Sequence, residues 1–287
     1  MAISVPVNAR MMIGGAKYCF AKFLDQSKYE RVKNPDAICG NRDPLIERTA
    51  PGRRKIQFTT FHDLTAPVIQ LLLPLAGTTN AAGTYTANQT VTPVEIIIDK
   101  VGAVHKYTNA RMTRMIIRGQ VGTLPVSAEC TWIAEDEIQD AGAVFVDGST
   151  DFIFAFPGTT HKIATVLKNI DRFAFVIDNQ LIPSWNAAFT VTDVGQGPRQ
   201  TLLATSIPYT TAYKDDFWNY RDVTTGTALE LKILNSLDSM TINIPKGVLN
   251  PESPSIEGAL EEIRFPMTWE AHRQSATEGF NIVVVNA

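Results

Sequence analysis

The sequence has few of the residues that do covalent chemistry. Four histidines and three cysteines are spread over 287 residues. His62, His105, His161 and His272 are scattered, and no pair stands at metal-ligand spacing. Cys19, Cys39 and Cys130 make an odd count, also without metal spacing, and read as reduced thiols of a protein made in a cytosol. No glycine-rich phosphate loop occurs, and no serine sits in a nucleophile elbow. The longest apolar stretch, VIQLLLPLA, is too short to cross a bilayer and contains a proline. The first residues, MAISVPVNARMMIGG, lack the charged and apolar regions of a secretory signal. Carboxylates cluster in AEDEIQD at 134–140, but that stretch follows a strand pattern directly and reads as a solvated linker. DGSTD at 147–151 has too few ligands for a calcium loop and reads as a turn. The expectation is no catalytic residue, no metal site and no cofactor.

What the chain does have is repetition. ECTWIAE at 129–135 and PMTWEAH at 266–272 share Thr-Trp-x-Ala, with Trp132 and Trp269 spaced 137 residues apart. Val126, Ala128, Cys130, Trp132 and Ala134 alternate with mostly polar residues, as do Ile263, Phe265, Met267, Trp269 and Ala271. Both stretches predict a β-strand with one buried face. Gly52-Arg53-Arg54 opens a strand with Ile56, Phe58 and Thr60 on one side. Gly197-Pro198-Arg199 opens another 145 positions later, with Thr201, Leu203 and Thr205 in the matching places. Each runs into a short helical pattern. The first is TAPVIQLLLPLA, with Thr65 as N-cap and Pro67 in the first turn. The second is TTAYKDDFWNY, with Tyr213, Phe217 and Tyr220 on one face. Strands follow in both halves (VEIII at 94–98; ALELKI at 228–233 and MTINI at 240–244), and each half closes on its Thr-Trp strand. The expected fold is mainly β: two tandem β-sandwich or barrel-like units, 1–145 and 146–287, each with one short α-helix and each long enough for its own core. Trp132, Trp269, Gly52 and Gly197 are the expected anchors of the repeat.

Charge is informative in its placement. The net charge is −3, yet residues 28–55 hold eight of the 26 Lys and Arg against four acids. They are Lys28, Arg31, Lys33, Arg42, Arg48, Arg53, Arg54 and Lys55. A proline-punctuated basic loop at about 24–50 is too long for a hairpin turn, and long structured loops usually carry function. With Tyr29 as its one aromatic, it does not interleave rings with basic groups as nucleic-acid patches do. The expectation is a protein–protein contact, with Arg31, Lys33, Arg42, Arg48, Arg53 and Arg54 as its candidate residues.

The order of these elements resembles the tail tube proteins of tailed bacteriophages, in their long form with a duplicated β-rich domain. The similarity runs over nearly the whole chain. APGRRKIQF is similar to the family's proline-glycine-arginine strand opening, and ARMTRMIIRGQVGTLPVSAECTW to its strand pair with a glycine turn. IDRFAFVIDNQLIPSW is similar to the strand that begins the second half, and GFNIVVVNA to the apolar C-terminal strand. Pro198 stands where the family tends to have arginine, and the basic segment before Gly52 is unusually long.

The resemblance implies a structural virion protein that polymerises as stacked rings into a tube, the conduit for DNA ejection. It implies no enzymatic activity and no membrane. Its implied partners are itself, the tape measure protein, the tail terminator, distal tail or baseplate proteins, a sheath protein if the tail is contractile, and DNA in transient non-specific passage. Its implied place is the virion tail, after assembly in the bacterial cytoplasm. With two units per chain, three chains would supply six units, giving homotrimeric, helically stacked rings with pseudo-sixfold symmetry. The acidic balance suits such a lumen, because basic residues would hold phosphates through many counterion-releasing contacts. A tail terminator or the tube of another injection device shares these features. A carbohydrate-binding β-sandwich or glycosidase would instead show exposed aromatics beside paired carboxylates.

Overall fold

The computed structural model describes residues 10–19, 22–33, 49–100, 103–139, 153–185, 191–208, 215–235, 238–250, 264–273 and 279–286. The first half of the chain forms β1 (Arg10–Ile13), β2 (Ala16–Cys19), β3 (Lys22–Asp25), β4 (Lys28–Lys33), β5 (Thr49–Asp63), α1 (Ala66–Leu75), β6 (Thr78–Ala81), β7 (Thr84–Ala87), β8 (Val94–Asp99), β9 (Val104–Gln120), β10 (Thr123–Ala134) and β11 (Asp136–Gln139). After a 3-10 turn at Phe156–Gly158, the second half forms β12 (Thr160–Ile163), β13 (Val166–Lys168), β14 (Arg172–Asp178), β15 (Ile182–Trp185), β16 (Val191–Gly195), β17 (Gln200–Pro208), α2 (Asp216–Arg221), β18 (Thr227–Leu234), β19 (Ser239–Asn250), β20 (Arg264–Ala271) and β21 (Asn281–Val285). The class is mainly β, with 64% of the described residues in strands against 9% in helices.

The two halves follow one pairing scheme. In the first, β1 pairs with β2 and β8, β8 with β9, β9 with β10 and β11, β10 with β5, and β5 with β3. In the second, β12 pairs with β13 and β18, β18 with β19, β19 with β20 and β21, β20 with β17, and β17 with β14. Register agrees as well as order. Trp132 faces Phe58 and Trp269 faces Leu203, which joins the two sequence spacings in one alignment. Phe23 faces Thr60 as Phe173 faces Thr205. Ile13 faces Ile96 as Ile163 faces Leu229. Even the irregularity between Val94 and Ile96 recurs between Thr227 and Leu229. Because side chains alternate with period two, a slip of one residue would turn every core residue outward, so buried faces hold register.

The halves are nevertheless joined by hydrogen bonds into one 19-stranded sheet, with β15–β16 as a separate two-stranded ribbon. The core is continuous through both, from Met11, Phe58 and Trp132 to Phe175, Ile242 and Trp269. Alternation explains which side chains enter it: Val126, Ala128, Cys130, Trp132 and Ala134 are all fully buried. Burial also pushes the Cys130 thiol up, so it stays a neutral packing group. Thr65 caps α1, its side chain accepting from the Val68 amide at 3.4 Å, and Ala66, Ile69, Leu72, Leu73 and Leu75 are buried beneath.

Three expectations need correction. The basic segment is not a loop throughout: Lys28–Lys33 is strand β4, paired with the first part of β5, and only 34–48 falls outside the described residues. The stretch at 134–140 is not a solvated linker, because Asp136–Gln139 pairs with β9. Glu137 there accepts from Lys100 Nζ at 2.9 Å and Tyr107 Oη at 3.1 Å, and lies 2.9 Å from His105 Nδ1. Burial raises its pKa, but Lys100 and the other donors outweigh that and leave it below the usual value. The second helix is six residues long and begins after Tyr213, which lies outside the described residues. The DGSTD stretch also lies outside them.

Candidate functional site

β9 is long enough to serve both halves. Its first part pairs with β8 and β11, while residues 114–120 pair with β10 on one side and β14 on the other. This makes a seam at which the first sheet runs into the second. Its buried face is apolar, with Met115 and Ile117 on β9 and Phe173, Phe175 and Ile177 on β14. The opposite face carries Arg114, Ile116, Arg118 and Gln120 beside Asp178, Val176, Ala174 and Arg172. Arg118 pairs with Glu129 at 2.7 Å, and Arg114 lies 3.9 Å from Asp178 across the seam. Arg114 and Arg118 of this face therefore have carboxylate partners.

Polar groups lock the seam from inside. Asn179 is buried, and its Nδ2 donates to the carbonyls of Ala76 at 3.1 Å and Met112 at 3.0 Å, both in the first half. Its Oδ1 accepts from Arg199 Nε at 2.9 Å, and Arg199 Nη2 donates to the Asn88 carbonyl. Burial, with Arg273 nearby, lowers the Arg199 pKa to about 10, so the guanidinium remains charged at neutral pH. A cavity of about 470 Å³ opens beside it, lined by Asn88, Asn179, Arg199, Arg273 and Phe280 among others. Gly197 stands at its rim because a Cβ there would meet the Gln180 carbonyl at 2.6 Å.

The β15–β16 ribbon clamps the seam from outside. Leu181, Val191 and Val194 pack with Val91 and Ile133 of the first half in a small buried cluster. Arg111 Nη1 donates to Asp193 Oδ1 and to the Val194 carbonyl, each at 3.2 Å. The first half has the same ribbon. Ile182 faces Gly195 and Pro183 faces Val194, just as Val32 faces Ala50 and Lys33 faces Thr49 in β4 and the start of β5. The basic segment is thus the counterpart of the clamp. Among the described residues its strands pair with nothing but each other, apart from the part of β5 that enters the main sheet.

Of the sequence candidates, Arg31 and Lys33 lie in β4, and Arg53 and Arg54 opposite it in β5. Tyr29 faces Arg54 and Glu30 faces Arg53. Arg42 and Arg48 lie outside the described residues. Gly52 sits within β5 and Gly197 just before β17. Trp132 and Trp269 are fully buried and belong to the core rather than to a site. Sequence reading missed the β15–β16 ribbon, Asn179 and Arg199. The DNQ after the FAFVI strand was the available signal, since Asn179 and Gln180 leave the sheet there and Gln180 has φ 45°.

The edges differ. β14 lies between β17 and β9, whereas its counterpart β3 pairs with β5 alone among the described residues. Among the described residues no group of three or more His, Cys, Asp or Glu is placed to hold a metal ion, and no helix is long and apolar enough to cross a membrane. Comparison with known protein-family models and with curated proteins finds no match to this chain.

Proposed function

We propose that this chain is a tube-forming structural protein, assembling as stacked rings into the tail tube of a bacteriophage, through which DNA leaves the capsid. The observation that carries the reading is the seam. Two halves with one pairing scheme meet edge to edge, and the edge used by β14 in the second half has no partner at β3 in the first among the described residues. A contact that joins unlike surfaces generates a closed ring when repeated by rotation. Three chains supply six such units, and covering β3 also removes an open strand edge. The sheet face on which Arg114 and Arg118 stand beside carboxylates suits a channel wall past which phosphates move without being held. On this reading the protein belongs to the virion tail, with tape measure, terminator and baseplate proteins at its ends.

Electron microscopy of the purified, concentrated protein tests this reading. The expected result is rings or hollow tubes one ring wide. Single rings that never stack favour a tail terminator, and a monomer at every concentration removes the reading. A glycan array and a hydrolysis screen are expected to be blank.

A further inference from the structure

The cavity beside Arg199 has walls from both halves, Asn88 and Val91 from the first, and Asn179, Arg199, Arg273 and Phe280 from the second. Two arginines line it and, among the described residues, no aspartate or glutamate does. Arg199 is fixed there by the fold. Asn179 Nδ2 is committed to the carbonyls of Ala76 and Met112, which leaves its Oδ1 to accept from Arg199 Nε at 2.9 Å. Nη2 of the same guanidinium donates to the Asn88 carbonyl and lies against Gly77, where there is no room for a Cβ. Its Nη1 makes no hydrogen bond among the described residues.

Arg273 follows β20, is exposed, and lines the same cavity. Neither guanidinium is ion-paired among the described residues, unlike those of Arg111, Arg114, Arg118 and Arg221. Two cations beside one cavity repel each other, and Arg273 adds to the effect of burial in lowering the Arg199 pKa. A guanidinium taken out of water without a counter-charge is costly, and an oxyanion seated by the pair offsets that cost. The donor fork of arginine matches the oxygens of phosphate and carboxylate groups. A volume of about 470 Å³ falls among small-molecule sites, roughly 300–1,000 Å³, so there is room for an organic group as well. Val91 and Phe280 give that group an apolar wall.

We infer that this cavity binds a small molecule carrying a phosphate or carboxylate group, with Arg199 as the fixed donor and Arg273 as the second cation. The site lies within one chain and does not depend on ring formation. A ligand held there stabilises the folded chain by mass action.

The test uses the dilute full chain at neutral pH and constant ionic strength, with inorganic phosphate or acetate exchanged for chloride. Thermal melts and titration calorimetry read the response. Wild type is expected to melt higher as one of these anions replaces chloride, and the anion that binds more tightly identifies the head group. Arg273→Gln is expected to weaken that binding about tenfold or more, and Arg273→Lys to retain most of it. In chloride alone Arg273→Gln should melt no lower than wild type, because it removes a cation that repels Arg199. The order of the two proteins therefore reverses when the anion is added. Arg199 is left in place, since its hydrogen bonds also hold the seam. Arg172→Gln, at an exposed arginine of β14 outside the cavity, should leave binding unchanged. If neither anion raises the melting temperature above that in chloride, or if wild type and Arg273→Gln respond equally, the site is wrong. Neither result touches the tube reading.

Discussion

The two halves hold the same tryptophan in the same register by different means. In the first, Trp132 Nε1 donates to Thr60 Oγ1 at 3.0 Å, and that hydroxyl lies 2.7 Å from His62 Nε2. In the second, the counterparts are Trp269, Thr205 and Ile207. Trp269 Nε1 and Thr205 Oγ1 are buried there without a hydrogen-bond partner among the described residues. Trp269 packs edge-on against Tyr220 of α2 at 5.7 Å, whereas Trp132 stacks on Phe58 at 6.4 Å. The buried histidines are exchanged in the opposite sense. His161 occupies the place of Met11, each opposite an apolar strand residue, Leu231 or Ile98. Shared strand order and register thus tolerate a rewritten core, because period-two burial fixes which residues face inward and leaves the chemistry among them free.

Replacing either tryptophan with Ala sharpens the comparison most. Both variants are expected to lose about 3–5 kcal/mol by chemical denaturation, the range for a large buried aromatic. Trp132→Ala should cost more, because it also strips Thr60 of its donor. Equal losses would mean that the hydrogen bond contributes nothing.

Acid comes next. Burial lowers the pKa of His62 from 6.5 to about 3, and lowers that of His161 to about 4, with Glu230 opposing and Lys168 assisting. Both rings are neutral in the fold, while an unfolded histidine takes a proton below about 6.5. Stability is therefore full above pH 6.5 and falls as pH drops toward 4, by up to about 1.4 kcal/mol per pH unit for each ring. Exchanging each histidine for its counterpart, His62→Ile and His161→Met, should flatten the slope. An unchanged slope would assign the acid sensitivity to other groups.

Hydroxyl removal is a smaller test. Thr60→Val leaves the Trp132 N–H unsatisfied and should cost about 1–3 kcal/mol, whereas Thr205→Val removes a hydroxyl with no partner among the described residues and should cost little or nothing. A penalty at Thr205 equal to that at Thr60 would erase the distinction between the two cores. The least effect is expected at the matched hairpins. Gly14 and Gly15 turn β1 into β2 with φ of 54° and 86°, and Ala164 and Thr165 make the same turn at 49° and 75°. Left-handed backbone suits glycine and strains a β-branched residue. Thr165→Gly should stabilise by about 1 kcal/mol in thermal melts, and Gly15→Thr should destabilise by a similar amount.

Much of this frame was readable from alternation. The Trp strands, the strands after Gly52 and Gly197, and α1 with its Thr65 cap lie where period and capping put them. The first hairpins were not recognised as a pair because RMMIGGAKYC and THKIATVLK share shape rather than letters: Ala164-Thr165 hides the glycine signal of a tight turn. Alternation does not reveal the basic ribbon, because its strand residues are mostly charged and its pairing depends on β5 extending well beyond the core. Asn179 and Arg199 were missed since their roles exist only across the seam, between residues about a hundred positions apart in the chain, as with Asn179 and Ala76.

On the proposed reading one kind of seam is used twice, once within each chain and once between chains. Reconstruction of the assembled tube without imposed symmetry tests it most directly. The expected result is three chains in each layer, true threefold and approximate sixfold symmetry, and β3 of each chain paired to the second half of its neighbour. Six chains in each layer, or a ring in which β3 remains an open edge, would contradict it.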